Sequence, residues 1–387
     1  MQPAKLPAPQ LITDAAGLQL LLQTLRAQPA IAVDTESNSL HAYRERVCLL
    51  QFSTPAQDFI LDPLALPQLA ELGAVFADAR VQKVFHAAEY DLICLQRDFG
   101  WRISNVFDTM LAARSLGWPE LGLAALLTKR HNIPVNKRFQ RADWRARPLS
   151  EEQLAYAQLD THFLLALCAD LQAELVRQAL LPEASEEFER LLRSTARAAQ
   201  RAPQNGEPRG SFWQVVGARL LAPRAAAILQ AVYAYREAAA RKADQPPFKI
   251  LSDQLLLALA QQSPRTPGQL RRVGLASSQQ QQHGRQLLEA IEQGRKAKPP
   301  ELPAQPRTDP RVLARYDALH NWRKARAKTR GVESDVIVAR EALWEIAINN
   351  PAAEADLDAV VEMGPWRRAA YASELLGVVQ RANNDPQ

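Results

Sequence analysis

Two proline-rich stretches constrain the fold of this 387-residue chain more than any other feature of its sequence. Residues 201–210 contain two Pro and two Gly, and residues 294–310 contain five Pro. Proline fixes one backbone torsion and lacks an amide hydrogen, so such stretches interrupt helices and favour extended spacers. We therefore predict three domains, at residues 1–200, 211–293 and 308–382, each of an ordinary domain size.

The first segment combines strand patterns with helix patterns. Short apolar or β-branched runs predict strands at 30–33, 47–52, 59–61 and 81–85. Longer periodic stretches predict helices at 15–26, 64–76 and 151–176. This mixture is typical of an α/β domain. Beyond residue 211 the strand patterns stop, and the remainder predicts two all-α helical bundles.

The two helical segments share the spacing of their residues. Tyr235-Arg236-Glu237 corresponds to Trp322-Arg323-Lys324 at an offset of 87 residues, and Pro264 corresponds to Pro351 at the same offset. A repeated spacing of this kind indicates an internal duplication. Few residues are identical, so chance similarity is the alternative interpretation.

Charge is distributed unevenly along the chain. Residues 1–195 contain 19 Lys and Arg against 23 Asp and Glu, whereas residues 196–387 contain 28 against 19. A basic half indicates a polyanionic partner, because each neutralised phosphate releases counterions. The alternative is a solvated, arginine-rich helical surface with no such partner.

Several classes of protein are excluded by composition. Three scattered cysteines do not support a disulfide framework or a cysteine-rich zinc site. The longest apolar runs are far shorter than the roughly 18 residues of a membrane span, and residues 1–10 lack a signal-peptide pattern. We found no glycine-rich nucleotide loop and no paired-histidine metal motif. We expect a cytoplasmic protein with no membrane partner.

Acidic residues recur at three places where an α/β domain builds sites. Asp34 and Glu36 end a buried strand pattern and should point to one face, where a divalent cation would relieve their repulsion. Asp91 opens a helix after another strand, and Tyr156 and Asp160 share a helix face at i and i+4. Taken singly, each group could equally be a solvated or helix-capping acid.

Together, these motifs resemble those of the DEDD exonuclease superfamily, in the version that contains a tyrosine. The resemblance extends to the ribonuclease D family through four stretches: DTESNSLHAYRERVCLLQ (34–51), HAAEYDL (86–92), FDTMLAARSLG (107–117) and RADWRARPLSEEQLAYAQLDTHFLLAL (141–167). The two helical segments resemble the helicase-and-RNase-D C-terminal (HRDC) domain, and the second copy is the more divergent.

The resemblance implies an RNase H-like α/β exonuclease domain followed by two HRDC domains. It also implies that Asp34, Glu36, Asp91 and Asp160 hold two Mg²⁺ or Mn²⁺ ions and that Tyr156 orients the attacking water. The expected activity is 3′–5′ exoribonuclease trimming of tRNA precursors and other structured RNAs, which releases nucleoside 5′-monophosphates. A DNA 3′–5′ exonuclease and a non-catalytic RNA-binding scaffold are the alternatives.

Two basic stretches are candidates for RNA contact. Residues 307–330 contain eight Lys and Arg with Tyr316, His320 and Trp322 interleaved, a pattern that suits phosphate contact and base stacking. Alternatively, Trp322 is a core residue. Basic residues also precede the third acidic motif, where they form either a phosphate-guiding loop or a solvated one: Lys129, Arg130, Lys137, Arg138 and Arg141.

Overall fold

One six-stranded sheet forms the centre of the N-terminal domain. The computed structural model describes residues 6–66, 68–134, 138–201, 210–303 and 308–384. The strands are β1 (Gln10–Ile12), β2 (Ala30–Ser37), β3 (Val47–Ser53), β4 (Asp58–Leu61), β5 (Gln82–Phe85) and β6 (Val106–Asp108). Their order is β1-β4-β3-β2-β5-β6, with β3 antiparallel to both neighbours and the other pairs parallel. The sequence pattern does not predict β1 or β6, which have three residues each.

Eight helices accompany the sheet in the described part of this domain. They are α1 (Ala15–Arg26), α2 (Ala70–Ala77), α3 (Glu89–Phe99), α4 (Thr109–Ser115), α5 (Leu123–His131), α6 (Glu151–His162), α7 (Leu164–Arg177) and α8 (Leu181–Arg201). The helix predicted at 64–76 begins only at Ala70. Leu66 precedes Pro67, and the residue before a proline disfavours helical geometry. The helix predicted at 151–176 is two helices that meet at Phe163, where the backbone torsions (φ −97°, ψ −2°) depart from those of an ideal helix.

The remaining helices repeat one arrangement twice. The first helical domain (210–303) contains α9 (Pro223–Ala243), α10 (Pro247–Ile250), α11 (Asp253–Gln262), α12 (Pro267–Val273) and α13 (Ser277–Lys296). The second (308–384) contains α14 (Pro310–Arg330), α15 (Ser334–Ile337), α16 (Arg340–Asn349) and α17 (Pro365–Asn384). Helices α14, α15 and α16 begin 87 residues after α9, α10 and α11, as the predicted offset requires.

Most of the first predicted linker and a short part of the second lie outside the described residues. Residues 202–209 of the first and 304–307 of the second are not described, and helix α13 continues into the second predicted linker as far as Lys296. None of the helices in the described part of the chain has the length and hydropathy that a membrane span needs.

Each of the three predicted domains has its own apolar core. Tyr43, from the loop after β2, packs into the core of the first helical domain. Its backbone amide donates to Asp244 (3.2 Å) and its hydroxyl donates to Glu237 (3.3 Å). Asp244 also forms an ion pair with Arg145 (3.0 Å). The first helical domain thereby contacts both the loop after β2, through Tyr43, and the segment before α6, through Arg145.

The second helical domain docks on α8 through buried ion pairs. The guanidinium of Arg367, 2% exposed, lies 2.9 Å from Glu187 and 3.0 Å from Glu186. Glu183 is fully buried and accepts a hydrogen bond of 2.7 Å from Arg330. Because buried charges are stable only when paired, this contact requires both domains to be in place.

Candidate active site

Three carboxylates converge at the carboxyl end of β2. Asp34 and Glu36 are two residues apart on this strand, so their side chains point to the same side of the sheet. The preceding residues Ile31, Ala32 and Val33 are fully buried, which fixes the strand in place. One oxygen from each of Asp34, Glu36 and Asp160 lies within 4.8 Å of the other two. This separation suits a shared divalent cation.

Helix α6 brings Asp160 and Tyr156 to the strand. The helix starts at a capping box in which Ser150 and Gln153 bond to each other's backbone amides (3.2 and 3.0 Å). Its buried residue Ala157 faces the sheet, and Thr161 accepts a hydrogen bond of 2.8 Å from Ser53 of β3. Tyr156 and Asp160 share the adjoining face of the helix, because they are one turn apart.

Asp91 reaches the same place from α3. Asp108 shapes the preceding turn: its carboxylate accepts from the amides of Ala87 (3.2 Å) and Ala88 (2.7 Å), and Ala87 adopts a left-handed backbone (φ 58°). Asp91 itself is buried and accepts a hydrogen bond of 2.5 Å from the hydroxyl of Thr35. The structure therefore brings all four predicted acids and the predicted tyrosine into one region.

Burial and mutual repulsion raise the pKa values of these acids. Burial, and then the charges of Asp91, Asp160 and Glu36, holds the pKa of Asp34 well above its ordinary value. Burial likewise raises the pKa of Asp91 to about 7, and burial with the charge of Asp91 raises that of Asp160 to about 7. Burial, followed by the charges of Asp160 and Asp91, also raises the pKa of Glu36. Such a cluster is costly when ionised and unpaired, which favours a bound cation.

The segment 138–147 forms one wall of the site. Tyr156 packs between two of its rings, with centroids 5.8 Å from Phe139 and 6.1 Å from Trp144. Burial, followed by the charges of the acids, raises the pKa of the Tyr156 hydroxyl above its ordinary value, so it stays protonated. Beside it lies a cavity of about 270 Å³, whose lining includes Asp34, Glu36, Ser37, Tyr90, Gln140 and Trp144.

One buried amide in the site has no partner among the described residues. Gln51 of β3 stands directly opposite Asp34 in the antiparallel register and is fully buried. Residues opposite each other in this way have side chains on the same face, with β-carbons about 5 Å apart. Neither its Oε1 nor its Nε2 has a hydrogen-bond partner in the described structure. A buried polar group left in this state marks a place for a bound water or ligand.

The two predicted basic stretches differ in how they are placed. Lys129 and Arg130, predicted as loop residues, lie instead in the last turn of α5, where Lys129 pairs with Glu120 (2.7 Å) and Arg130 lies over the ring of Trp118 (3.7 Å). Lys137 is outside the described residues. In the second stretch, Trp322 donates to Glu374 (2.8 Å) and packs against the core of its domain, as the alternative interpretation expected.

Sequence reasoning assigned no role to several residues that shape the site. Thr35 and Gln51 lie inside the quoted motif stretches, yet only the structure shows that Thr35 donates to Asp91 and that Gln51 stands opposite Asp34. Asp108 is a helix cap whose contacts to the 86–88 turn depend on the pairing of β5 with β6. An acid directly before a helix start is the signal that could have indicated it.

The domains match known families. Residues 9–176 match the model of the 3′–5′ exonuclease family, and residues 225–291 and 312–379 each match that of the HRDC domain. Ribonuclease D of Gluconacetobacter diazotrophicus is 29% identical over 388 residues, which cover 97% of this chain and 94% of that protein. The exosome complex exonuclease RRP6 of Saccharomyces cerevisiae is 32% identical over 262 residues, or 65% of this chain and 36% of that protein.

The chain spans between 21% and 42% of the length of the first curated relatives it matches, all of them RRP6-like or exosome component 10 proteins. Among solved structures, the fold is similar to that of Escherichia coli RNase D, an exoribonuclease involved in structured RNA processing. That match has a TM-score of 0.70 at 25% identity and covers 98% of this chain and all of that one. These similarities confirm the expected family resemblance and the expected fold class.

Proposed function

Since this chain joins a domain of the 3′–5′ exonuclease family to two HRDC domains and is similar to ribonuclease D over nearly its whole length, we propose that it is a metal-dependent 3′–5′ exoribonuclease. The observation that carries the proposal is the convergence of Asp34, Glu36 and Asp160, with Asp91 alongside, at the end of one strand.

The residues present fit a pair of divalent cations. Carboxylate oxygens are the ligands that Mg²⁺ and Mn²⁺ prefer. Four carboxylates lie together with raised pKa values, that of Asp91 buried and the other three half-buried. Asp34, Glu36, Asp91 and Asp160 would hold the ions. Bound ions of this kind activate water and neutralise charge on the departing 3′ oxygen. The unpartnered amide of Gln51 beside Asp34 is a further polar group that a hydrated site would satisfy.

Tyr156 is proposed to orient the attacking water. Its hydroxyl stays protonated across the physiological pH range, because burial and the neighbouring acids raise its pKa. It can therefore donate or accept a hydrogen bond without carrying charge. The rings of Phe139 and Trp144 restrict its position, and a fixed hydroxyl orients a water more effectively than a mobile one.

The finer assignment concerns the substrate. We propose that the protein trims the 3′ ends of tRNA precursors and other structured RNAs in the cytoplasm, with nucleoside 5′-monophosphates as products. Two observations support this: the excess of basic residues after residue 195, and the similarity to a ribonuclease D involved in structured RNA processing. Basic residues bind the phosphates of a folded RNA whatever its sequence.

The test is cleavage of 5′-labelled RNA and DNA of the same sequence, with Mg²⁺, Mn²⁺ or EDTA, by the full chain and by its Asp34→Ala variant. The proposal expects RNA shortened in single-nucleotide steps from the 3′ end, only with metal and only by the unaltered protein. Faster cleavage of DNA would support the DNA exonuclease instead. Binding without cleavage under every condition would support the scaffold.

A further inference from the structure

Three aromatic rings form a stack on the surface of the second helical domain. The ring of Tyr316 lies 3.9 Å from that of Trp344 at an interplanar angle of 14°, and 5.9 Å from that of His320 at 8°. All three residues are partly exposed. The stack joins α14 to α16, and its Tyr316, like Trp322, also packs against the domain core.

The first helical domain shows that the fold itself does not require these rings. At the 87-residue offset, Tyr316 corresponds to Leu229 and Trp344 to Leu257. Leu229 is fully buried in the core of its domain. Because a leucine fills the equivalent position in the same arrangement of helices, the larger rings contribute surface that core packing does not need.

The equivalent faces of the two domains also differ in what lies against them. In the first domain, Glu237 accepts a hydrogen bond from Tyr43 of the exonuclease domain. Its counterpart in the second domain, Lys324, is exposed. The second domain contacts the exonuclease domain through other residues, among them Arg330 and Arg367. The face of α14 that carries Lys324 is therefore accessible. The corresponding face of α9 in the first domain is occupied by Tyr43.

The charge of the face is reversed between the two copies. Glu237 and Asp253 of the first domain correspond to Lys324 and Arg340 of the second, and both cations are exposed. Partial burial, followed by the charges of Lys324, Arg323 and Arg340, lowers the pKa of His320. The exposed acid Asp317 opposes this shift. Stacked rings beside exposed cations form the combination that binds bases and phosphates of single-stranded nucleic acid.

We propose that the Trp344–Tyr316–His320 stack is a site for an unpaired base of RNA, with Lys324 and Arg340 contacting the adjoining phosphates. This inference rests on the proposed exoribonuclease function, which supplies the class of ligand. It places a contact for an unpaired segment on the second helical domain, distinct from the acidic site where the 3′ end is hydrolysed.

The test measures binding of labelled 20-nucleotide oligoadenylate to the full chain in EDTA, so that the RNA stays intact. The variant Tyr316→Leu/Trp344→Leu introduces the residues of the first domain and should retain the fold, as circular dichroism and thermal melting can verify. Its Kd should rise about tenfold, the scale of losing one stacked base. Trp344→Phe keeps a ring and should bind nearly as the unaltered protein does.

Two controls separate stacking from general effects. Phe248→Leu removes another exposed aromatic residue, on the first domain, and should leave the Kd unchanged. Inorganic polyphosphate has phosphates but no bases, so its Kd should not respond to Tyr316→Leu/Trp344→Leu. An unchanged oligoadenylate Kd in that variant, or an equal loss of polyphosphate binding, would overturn the proposal. Cleavage of a trinucleotide RNA by the unaltered protein with Mn²⁺ tests the proposed function separately.

Discussion

The hydroxyl of Thr35 donates a hydrogen bond of 2.5 Å to the carboxylate of Asp91. Thr35 lies between Asp34 and Glu36 on β2, so its side chain points away from theirs. The bond thus ties α3 to the strand whose neighbouring residues carry the other acids. It also favours the ionised form of Asp91, against the burial that raises the pKa of that carboxyl to about 7.

Removal of one acid should abolish hydrolysis while leaving the protein folded. Asp34→Ala and Asp160→Ala each delete a proposed ligand and also relieve repulsion among the remaining carboxylates. We expect less than about a tenth of the unaltered rate. A higher remaining rate would indicate a weaker contact and not the loss of a metal ligand. The measurement is single-turnover RNA cleavage with Mn²⁺. Glu152→Ala, an exposed acid on the same helix as Asp160, is the matched control and should cleave normally.

Loss of the Tyr156 hydroxyl should slow chemistry and leave structure intact. Tyr156→Phe keeps the ring that packs against Phe139 and Trp144, so the melting temperature should stay within a degree or so. The single-turnover rate should fall on the order of 10²-fold if this hydroxyl positions the water. Tyr235→Phe removes a half-buried hydroxyl far from the site and should retain full activity. An unchanged rate for Tyr156→Phe would make Tyr156 a packing residue.

The metal-free protein should become less stable as pH rises from about 4 to about 7. The pKa of Asp160 is near 7 in the folded protein against 3.8 as its ordinary value, so the folded state holds a proton that the unfolded state has lost. That contribution is complete below pH 4 and is lost as pH rises through 7. Asp160→Asn should therefore raise the melting temperature in EDTA at pH 8 and flatten its pH dependence.

Metal addition provides the second half of this experiment. Mn²⁺ should raise the melting temperature of the unaltered protein more at pH 8 than at pH 5, because bound cations replace the protons. Asp160→Asn should lose most of this increase. Glu301→Gln, an exposed acid elsewhere, should respond to Mn²⁺ like the unaltered protein. Equal responses of Asp160→Asn and Glu301→Gln would argue against a cation at the cluster.

Gln51 offers a test in which stability and activity should move in opposite directions. Its amide has no described partner, so Gln51→Leu should stabilise the metal-free protein by about 1–3 kcal/mol, the cost of a buried unsatisfied polar group. If the amide serves the hydrated site beside Asp34, the cleavage rate should fall while the melting temperature rises. Both quantities unchanged would remove Gln51 from the site. Gln158→Leu, whose amide is bonded to Asp58, should destabilise instead.

The contact between α8 and the second helical domain should be sensitive to a single substitution. Arg367→Met leaves the fully buried Glu183 and the nearly buried Glu187 with fewer partners, which costs about 3–5 kcal/mol. The melting temperature should fall by several degrees. Arg368→Met, at the next position, breaks only the partly exposed pair with Asp358 and should have little effect. Equal effects of the two substitutions would contradict the role given to the buried contact.

The sequence indicated those parts of the fold and site that depend on neighbouring residues. The position of Asp34 and Glu36 on a buried strand and the repeated helices both follow from local pattern. The position of Asp91 depends in addition on Asp108, which is distant in sequence. Such long-range contacts leave no local signal.

Domain contacts were the least predictable part. The sequence around Tyr43 predicts only a loop. Its insertion into the core of another domain depends on partners that lie 194 and 201 positions further along the chain. Helical periodicity likewise could not decide between core and surface for the aromatic residues of α14. Both Trp322 and Tyr316 pack against the core of their domain, and Tyr316 also stacks on Trp344, a residue from a different helix.

The buried pairing of Glu183 with arginines of the second helical domain makes the unfolding of two domains one event. If that domain opened alone, Glu183 would lose both Arg330 and Arg367, whereas Glu187 would keep Arg190 of its own helix. Partial opening is then as rare as global unfolding, and a protease meets few cleavable intermediates. A substitution deep in the second helical domain would therefore shorten the lifetime of the distant acidic site without touching any residue near it.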